Sequence, residues 1–512
     1  MRRPSASVTS VARAVALPAI VAIGAVLAVL LHRSGHTQGD DFALYLRQAR
    51  SIFDGDIAQV VADNRFAVLH SDSGFSPIAY PWVWPLLLSP FVHAWGLDYD
   101  RLKLVEVATF CLWLVLLHGI VRRRVGRAPA IAVVAVFATA PLYLAHTDQL
   151  LTEFPHLAAV ALVVWWYDRI RRDATLLTAS TGRLVGLGLL IVLAFNVRRE
   201  SVALLGVVGV MVLYDVVTAG RHRGDSLVTG AIDAVRHRWQ PIVTPFVTFA
   251  LGAAIAQLLL PTDLLPDNGN SSAFLDDRLG EYPGILSDHL GLGDHTAVGA
   301  AVLVVATMGI VIGLRRRPTL DLPLVVLAVL SALAISTHLR RVDRYWFQVT
   351  PWVVYFATVA LVAALGWVFT RWGRSARVAT AIALVPLGAL VVAHGVVLAG
   401  DISDAQQYND LGRVQSGPSN PAVAPVFVAV AELTPPDAIV AYYRARTMTL
   451  LTDRRAFQTK QLDRIVERAD YYAERRNSTY WQPELSPSDA RSAGFEEVWS
   501  DQRWILWRVP DN

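Results

Sequence analysis

Four stretches place acidic and basic side chains where the flanking sequence is otherwise apolar. GDDFALYLRQARSIF (39–53) sets Asp40 beside Asp41, with Tyr45 four residues on; HTDQLLTEFPH (146–156) carries Asp148 and Glu153. NVRRES (196–201) carries Arg198, Arg199 and Glu200, and HLRRVDRYWFQ (338–348) carries Arg340, Arg341, Asp343, Arg344 and Tyr345. Carboxylates suit taking a proton from a hydroxyl or coordinating a cation. Guanidiniums suit a phosphate, which they grip through paired N–H groups. Brought to one surface, the four segments would suit a phosphate-linked lipid donor meeting a hydroxyl acceptor. Each also has a plainer reading. Asp40 follows Gly39 and precedes a helical pattern, so it is placed to cap that helix, which leaves Asp41 to face a site. Asp148 and Glu153 could cap a span, and Arg198 and Arg199 could be interfacial snorkelers.

The elements that must position these groups are membrane spans. The chain has 512 residues, of which 54% are hydrophobic and 17% charged, where a soluble domain carries about a quarter charged. The apolar residues fall in blocks long enough to cross a hydrocarbon core: 14–31, 103–121, 128–146, 153–168, 183–198, 201–218, 241–260, 297–314, 321–338, 346–368 and 377–399. A further block, YPWVWPLLLSPFVHAWG (80–96), is broken by Pro81, Pro85 and Pro90. The positive-inside rule decides its status. Treated as an interfacial helix, with Trp82, Trp84 and Trp95 at headgroup level, it leaves all five basic loops cytoplasmic: RRRVGR (122–127), DRIRRD (168–173), RHRGD (221–225), RRRP (315–318) and RWGRSAR (371–377). The outer face then receives 32–102, 147–152, the neighbourhood of 196–200, 261–296, 339–345 and everything after 400. The charged stretches above all fall there. Intramembrane ionisable groups are costly enough to need a reason, and the basic 340–344 cluster runs against the positive-inside trend, so it calls for an anionic partner.

The fold expected is therefore a polytopic α-helical membrane protein of about 11 transmembrane helices, residues 1–400, with a first outer loop at 32–102. A small extracytoplasmic α/β domain follows at 401–512, where AIVAYY (438–443), FEEVWS (495–500) and RWILWRV (503–509) read as strands and QLDRIVERA (461–469) as a helix. The basic start (Arg2, Arg3, Arg13) and the length of the first apolar run favour an uncleaved first helix with a cytoplasmic amino terminus. A net charge of +4, spread over short loops, argues against nucleic-acid binding. Lys103 and Lys460 are the only lysines, an Arg-, Ala- and Val-rich bias of genomic origin. Cys111, the single cysteine, allows no intrachain disulfide. His70, His93, His146 and His156 show no zinc spacing.

The order of these features carries a resemblance. A span, an acidic pair opening DDFALYLRQAR, a Pro- and aromatic-rich interfacial helix, a span ending in RRRVGR and then TDQLLTEFP is similar to the amino-terminal half of integral-membrane glycosyltransferases of the GT-C class. The polyprenyl-phosphate-sugar-dependent branch, with protein mannosyltransferase-like and aminoarabinose-transferase-like enzymes, is nearest. AIVAYYRARTMTLLTDRRAF (438–457) is similar to the outer domain of many such enzymes. The resemblance implies that Asp41, four residues before Tyr45, is the catalytic base, and that a second acidic position is Asp148 or Glu153. Arg198-Arg199-Glu200 then matches the family's R-P-E-type motif with arginine in place of proline, and Arg344-Tyr345, ahead of Pro351, matches its late R-Y.

By that resemblance Arg198, Arg199, Arg340 and Arg344 hold the donor phosphate, with Tyr45, Glu200 and Tyr345 beside it. The reaction expected is inverting transfer of a mannose- or arabinose-like sugar from a polyprenyl phosphate to a hydroxyl on an acceptor glycan, lipid or protein at the outer face. A monophosphate leaving group requires no metal, although Asp41 with Asp148 or Glu153 could hold a divalent cation. Two other readings stand beside this one. A transporter or flippase of lipid-linked sugars would want charges near the midplane and repeated halves, and the sequence shows neither. A catalytically silent scaffold with a partner-binding outer domain is opposed only by the polar cluster.

Overall fold

The computed structural model describes residues 8–72, 77–223, 226–262, 274–338 and 340–510. The basic Arg2 and Arg3, part of the RHRGD loop and part of the 261–296 segment lie outside the described residues. A helix coincides with every expected span. Seven are long and apolar enough to cross a membrane: Tyr99–Val125, Arg199–Arg221, Val235–Leu259, Thr296–Arg316, Pro318–Ser336, Thr350–Arg371 and Ala376–Asp410. Shorter apolar helices fall at Val15–Leu31, Arg127–Thr139 and Thr181–Phe195, and the helix Glu153–Ile170 completes the set. This is a multi-pass membrane protein. The last helix runs on to Asp410, beyond the boundary expected near 400.

Small residues set the closest helix contacts. A Cβ on Gly309 would fall 1.8 Å from the Phe356 carbonyl oxygen, so Thr296–Arg316 and Thr350–Arg371 touch backbone to backbone, and one on Gly299 would fall 1.7 Å from the Pro283 carbonyl oxygen. At the end of the bundle that carries the basic loops, buried charges are matched in pairs. Arg124 donates to both oxygens of Asp168 at 2.5 and 2.8 Å. Asp321 lies 3.5 Å from Arg124 and 3.3 Å from Arg317, and accepts a hydrogen bond from Tyr355. Arg171 grips Asp215 at 2.7 Å. Such pairs are tolerated because each charge has its counter-charge in reach.

At the other end, the 32–102 segment folds into Asp41–Asp54, Ile57–His70 and Val83–Trp95. The first ends where Gly55 turns left-handed (φ 79°) and its N–H closes onto the Ser51 carbonyl. The third, which carries Pro90 inside it and ends at Gly96, has 13 residues, too few to span. It packs on Asp41–Asp54 through Trp84, Leu88 and Val92. Trp82 and Trp84 are fully buried in protein, not spread at a headgroup surface as expected, and Trp82 donates to the Pro261 carbonyl at 3.0 Å. Their bulk serves the core beneath the site.

The carboxy-terminal residues form a five-stranded sheet on that same end of the bundle, in the order β2-β1-β3-β5-β4. Of the strands β1 (Ile439–Ala441), β2 (Arg455–Phe457), β3 (Tyr471–Arg475), β4 (Glu496–Ser500) and β5 (Trp504–Arg508), β1, β4 and β5 fall on the three expected runs, while β2 and β3 lie outside them. β1 pairs parallel with β2 and β3, while β5 pairs antiparallel with β3 and β4. The helix Ala445–Thr452 follows β1 and packs against Asp41–Asp54.

Candidate active site

Asp41 is the first residue of its helix, and its side chain, 34% exposed, looks into a cavity of about 500 Å³. Asp40 occupies the capping position, but its carboxylate does not cap the helix. It accepts instead from the Thr447 backbone N–H at 3.3 Å and the Thr447 hydroxyl at 3.1 Å, pinning the sheet domain to the segment that leaves the first span. The expected division of labour between the two aspartates is thus corrected for Asp40: it is a latch. Burial pushes its carboxyl above the usual range, and Arg444, Arg446 and Thr447 offset that only in part.

Around Asp41 the groups form a chain of donors. The Tyr80 hydroxyl donates to Asp41 Oδ1 at 2.5 Å, and Arg446 donates to the Tyr80 hydroxyl at 3.2 Å. Arg446 also lies 3.7 Å from Asp41 itself, held by Asn64 Oδ1 at 3.0 Å and the Pro77 carbonyl at 2.8 Å. Arg344 lies 4.0 Å from the other Asp41 oxygen and 2.7 Å from Glu153. Burial alone would raise the Asp41 carboxyl, yet Arg446, Tyr80, Arg344 and Arg340 together outweigh it and hold the group below the usual carboxylate range. Asp41 is therefore ionised and reachable.

Glu153 opens the helix Glu153–Ile170, is 5% exposed, and is bracketed by Arg344 and by Arg198 at 3.3 Å. Arg198 reaches on to Glu200 at 3.1 Å and lies over the Tyr345 ring at 5.1 Å. Arg199, Arg340 and the buried Tyr45 also line the cavity. Nine of the ten site residues expected from sequence thus converge. The tenth, Asp148, does not. Lys103 is fully buried beside it and needs a counter-charge, so the Asp148 carboxylate is taken up at 2.7 Å by that ammonium and at 2.9 Å by Gln415, away from the cavity. Of the two acidic alternatives, Glu153 is the one at the site. Arg341 turns away as well, to Glu281 at 2.7 Å.

Tyr80 and Arg446 were missed. Tyr80 sits in a stretch whose prolines and tryptophans dominate its reading. Arg446 lies in a segment whose similarity to outer domains was visible, but its partners come from residues 41–80 and only the folded chain shows them. Phe195, Val202, Phe249, Ala334 and Ile335 add apolar side chains to the cavity wall. The cavity thus combines guanidiniums and hydrogen-bonding groups with apolar side chains. Among the described residues no three His, Cys, Asp or Glu side chains converge as a metal site. Each cavity carboxylate already faces a guanidinium, so the donor set fits an anion better than a cation.

No family model matches the chain, and no curated protein matches it. Solved structures do. The chain aligns over 97% of its length, and over 99% of the other, with ArnT from Cupriavidus metallidurans bound to undecaprenyl phosphate, at TM-score 0.56 and 14% identity. It aligns over 90% of its length, and over 69% of the other, with the archaeal oligosaccharyltransferase AglB from Archaeoglobus fulgidus in complex with an inhibitory peptide and a dolichol-phosphate, at TM-score 0.54 and 12% identity. The chain shares the fold of these two proteins, the GT-C fold.

Proposed function

We propose that the protein moves a sugar from a polyprenyl-phosphate donor to an acceptor hydroxyl, with Asp41 as the base. The observation that carries this reading is the Asp41 carboxylate facing a cavity whose wall combines four arginines with apolar side chains. A lipid phosphate needs that pairing, since the guanidiniums hold the charged head while the tail keeps to the membrane. The fold is shared with proteins seen bound to undecaprenyl phosphate and to a dolichol-phosphate, which supports the same ligand class here.

In this reading the acceptor oxygen attacks the anomeric carbon as the bond from that carbon to the phosphate oxygen breaks, with inversion. The acceptor proton goes to Asp41. A hydroxyl becomes strongly acidic as its oxygen bonds to carbon, so a carboxylate of low basicity suffices, and its depressed pKa keeps it unprotonated. The leaving phosphate gains negative charge, which Arg198, Arg199, Arg340 and Arg344 stabilise from fixed positions. Glu153 and Glu200 hold Arg344 and Arg198 in place between turnovers. The basic loops face the cytoplasm and the cavity opens on the outer side, with mannose- and arabinose-type donors the first to offer.

The test uses purified protein, polyprenyl-phosphate-linked sugars and an acceptor glycan or peptide, with wild type compared to Asp41→Asn. Transfer by the wild type and its loss in the variant are expected. A wild type that transfers from no donor, or an Asp41→Asn protein as active as wild type, overturns the assignment.

A further inference from the structure

One turn of chain presents two arginines in two directions. Arg446, in the first turn of Ala445–Thr452, reaches Tyr80 and Asp41. Arg444, the residue that precedes this helix, reaches the outer surface of the sheet domain, where its Nη2 donates to the Tyr480 hydroxyl at 3.1 Å. Its guanidinium lies 5.5 Å from the Tyr480 ring centre and 5.9 Å from that of Tyr443, which itself stacks on Trp504. Tyr480 is 51% exposed. Next to it, Trp481 is held in the left-handed region (φ 55°) with the Lys460 ammonium 4.6 Å from its ring centre.

A tryptophan in that region is strained by about 1–2 kcal/mol, and such strain persists where surroundings over-determine it, commonly at binding surfaces. Here the buried Gln482 supplies the constraint. It donates to the Arg475 and Ser478 carbonyls at 2.7 and 2.8 Å and accepts from the Arg475 N–H at 3.2 Å, so the loop is tied shut behind the two rings. The result is an exposed Tyr480 ring next to a half-buried Trp481 that packs on the core, with a guanidinium and an ammonium beside them.

We propose that Tyr480 and Trp481, with Arg444 and Lys460, form the docking platform for the acceptor, and that this acceptor is a saccharide. The proposal rests on the reading of the Asp41 cavity as a sugar-transfer site. A sugar ring offers a C–H face to an aromatic surface and hydroxyls at its edge. Tyr and Trp rings answer the first at little cost in side-chain freedom, and arginine and lysine N–H donors answer the second. The platform is coupled to the chemistry through three consecutive residues, Arg444 to Arg446, so an acceptor seated on the rings is referenced directly to the base.

The experiment uses the full chain in lipid nanodiscs. Oligosaccharides of mannose, galactose, glucose and arabinose, with Ser- and Thr-containing peptides as a comparison set, are titrated by saturation-transfer NMR, and undecaprenyl phosphate binding is measured in parallel. Expected are saccharide binding by wild type, binding roughly tenfold weaker in Tyr480→Ala, near-wild-type binding in Tyr480→Phe, and undecaprenyl phosphate binding equal in all three. No saccharide binding by wild type, or equal binding by Tyr480→Ala, overturns the platform. So does a Tyr480→Ala protein that loses peptides and keeps saccharides. If undecaprenyl phosphate fails to bind the wild type as well, the reading of the cavity falls with it; a loss confined to the saccharide removes the platform alone.

Discussion

Arg446 Nη1 stands 3.7 Å from the Asp41 carboxylate and donates to Tyr80, the residue that hydrogen-bonds that same carboxylate. A residue of the sheet domain therefore sets the electrostatics of a group at the foot of the membrane bundle. Replacing it should damage turnover as a change within the cavity would. Arg446→Gln is expected to lower kcat by roughly 10²-fold while undecaprenyl phosphate still binds, because Arg198 and Arg344 remain. Single-turnover kinetics with saturating donor would check this.

The depressed Asp41 carboxyl fixes the sign of the pH profile. The active form is the carboxylate, so kcat should hold steady as pH falls from neutrality and drop only below about pH 4, the ordinary carboxylate value. In Tyr80→Phe and Arg446→Gln, where groups that lower the pKa are gone, that acid limb should move to higher pH. Asp41→Asn should cost 10²- to 10⁴-fold in kcat, about the worth of a positioned base. A pH–rate series on the four proteins would decide it; an unmoved limb in both partner variants would contradict the assignment of the base.

Asp148 and Glu153 separate by consequence. Asp148→Asn leaves the buried Lys103 with only the more exposed Asp100, at 3.3 Å, as counter-charge and should destabilise the protein by about 1–3 kcal/mol while leaving the transfer kinetics of the folded fraction intact. Glu153→Gln frees Arg344 and Arg198 from their common anchor and should reduce kcat without a comparable loss of stability. Thermal melts and transfer assays on the same preparations distinguish the two.

Asp40 should behave unlike its neighbour. Its folded pKa is raised above the unfolded value, so the native state binds the proton more tightly. The associated stability is full below the unfolded pKa and is lost as pH rises from there through the folded pKa. Asp40→Asn removes that dependence and keeps an acceptor for Thr447, so its melting temperature at neutral pH should be no lower than wild type. Thr447→Val, which removes the hydroxyl's hydrogen bond to Asp40 and keeps the backbone one, should cost about 1–3 kcal/mol. Melting curves between pH 4 and 7 provide the check.

The membrane helices were legible because apolar length is a local property, and the 80–96 segment because prolines and charge bias constrain it. Nine of the ten expected site residues converge, since charged groups beside spans stand out against their surroundings. What could not be read was pairing across the chain. Asp148 and Glu153 look equivalent in sequence, and only the burial of Lys103 in one helix and the approach of Arg344 from another tell them apart. Asp40 has the sequence signature of a cap, yet Thr447 claims it. Arg446 is one arginine among several in a polar domain until Tyr80 and Asp41 are placed beneath it.

The contact between Arg446 and Asp41 also sets an order of events during biosynthesis. Asp41 leaves the ribosome early and Arg446 late, with nearly every membrane helix made between them. Until the final segment is made and folded, the carboxylate has neither this guanidinium nor the Thr447 anchor beside it. An unfinished chain can be inserted and can fill the bilayer with helices, but it carries a half-built centre, so competence arrives only with the last part of the polypeptide.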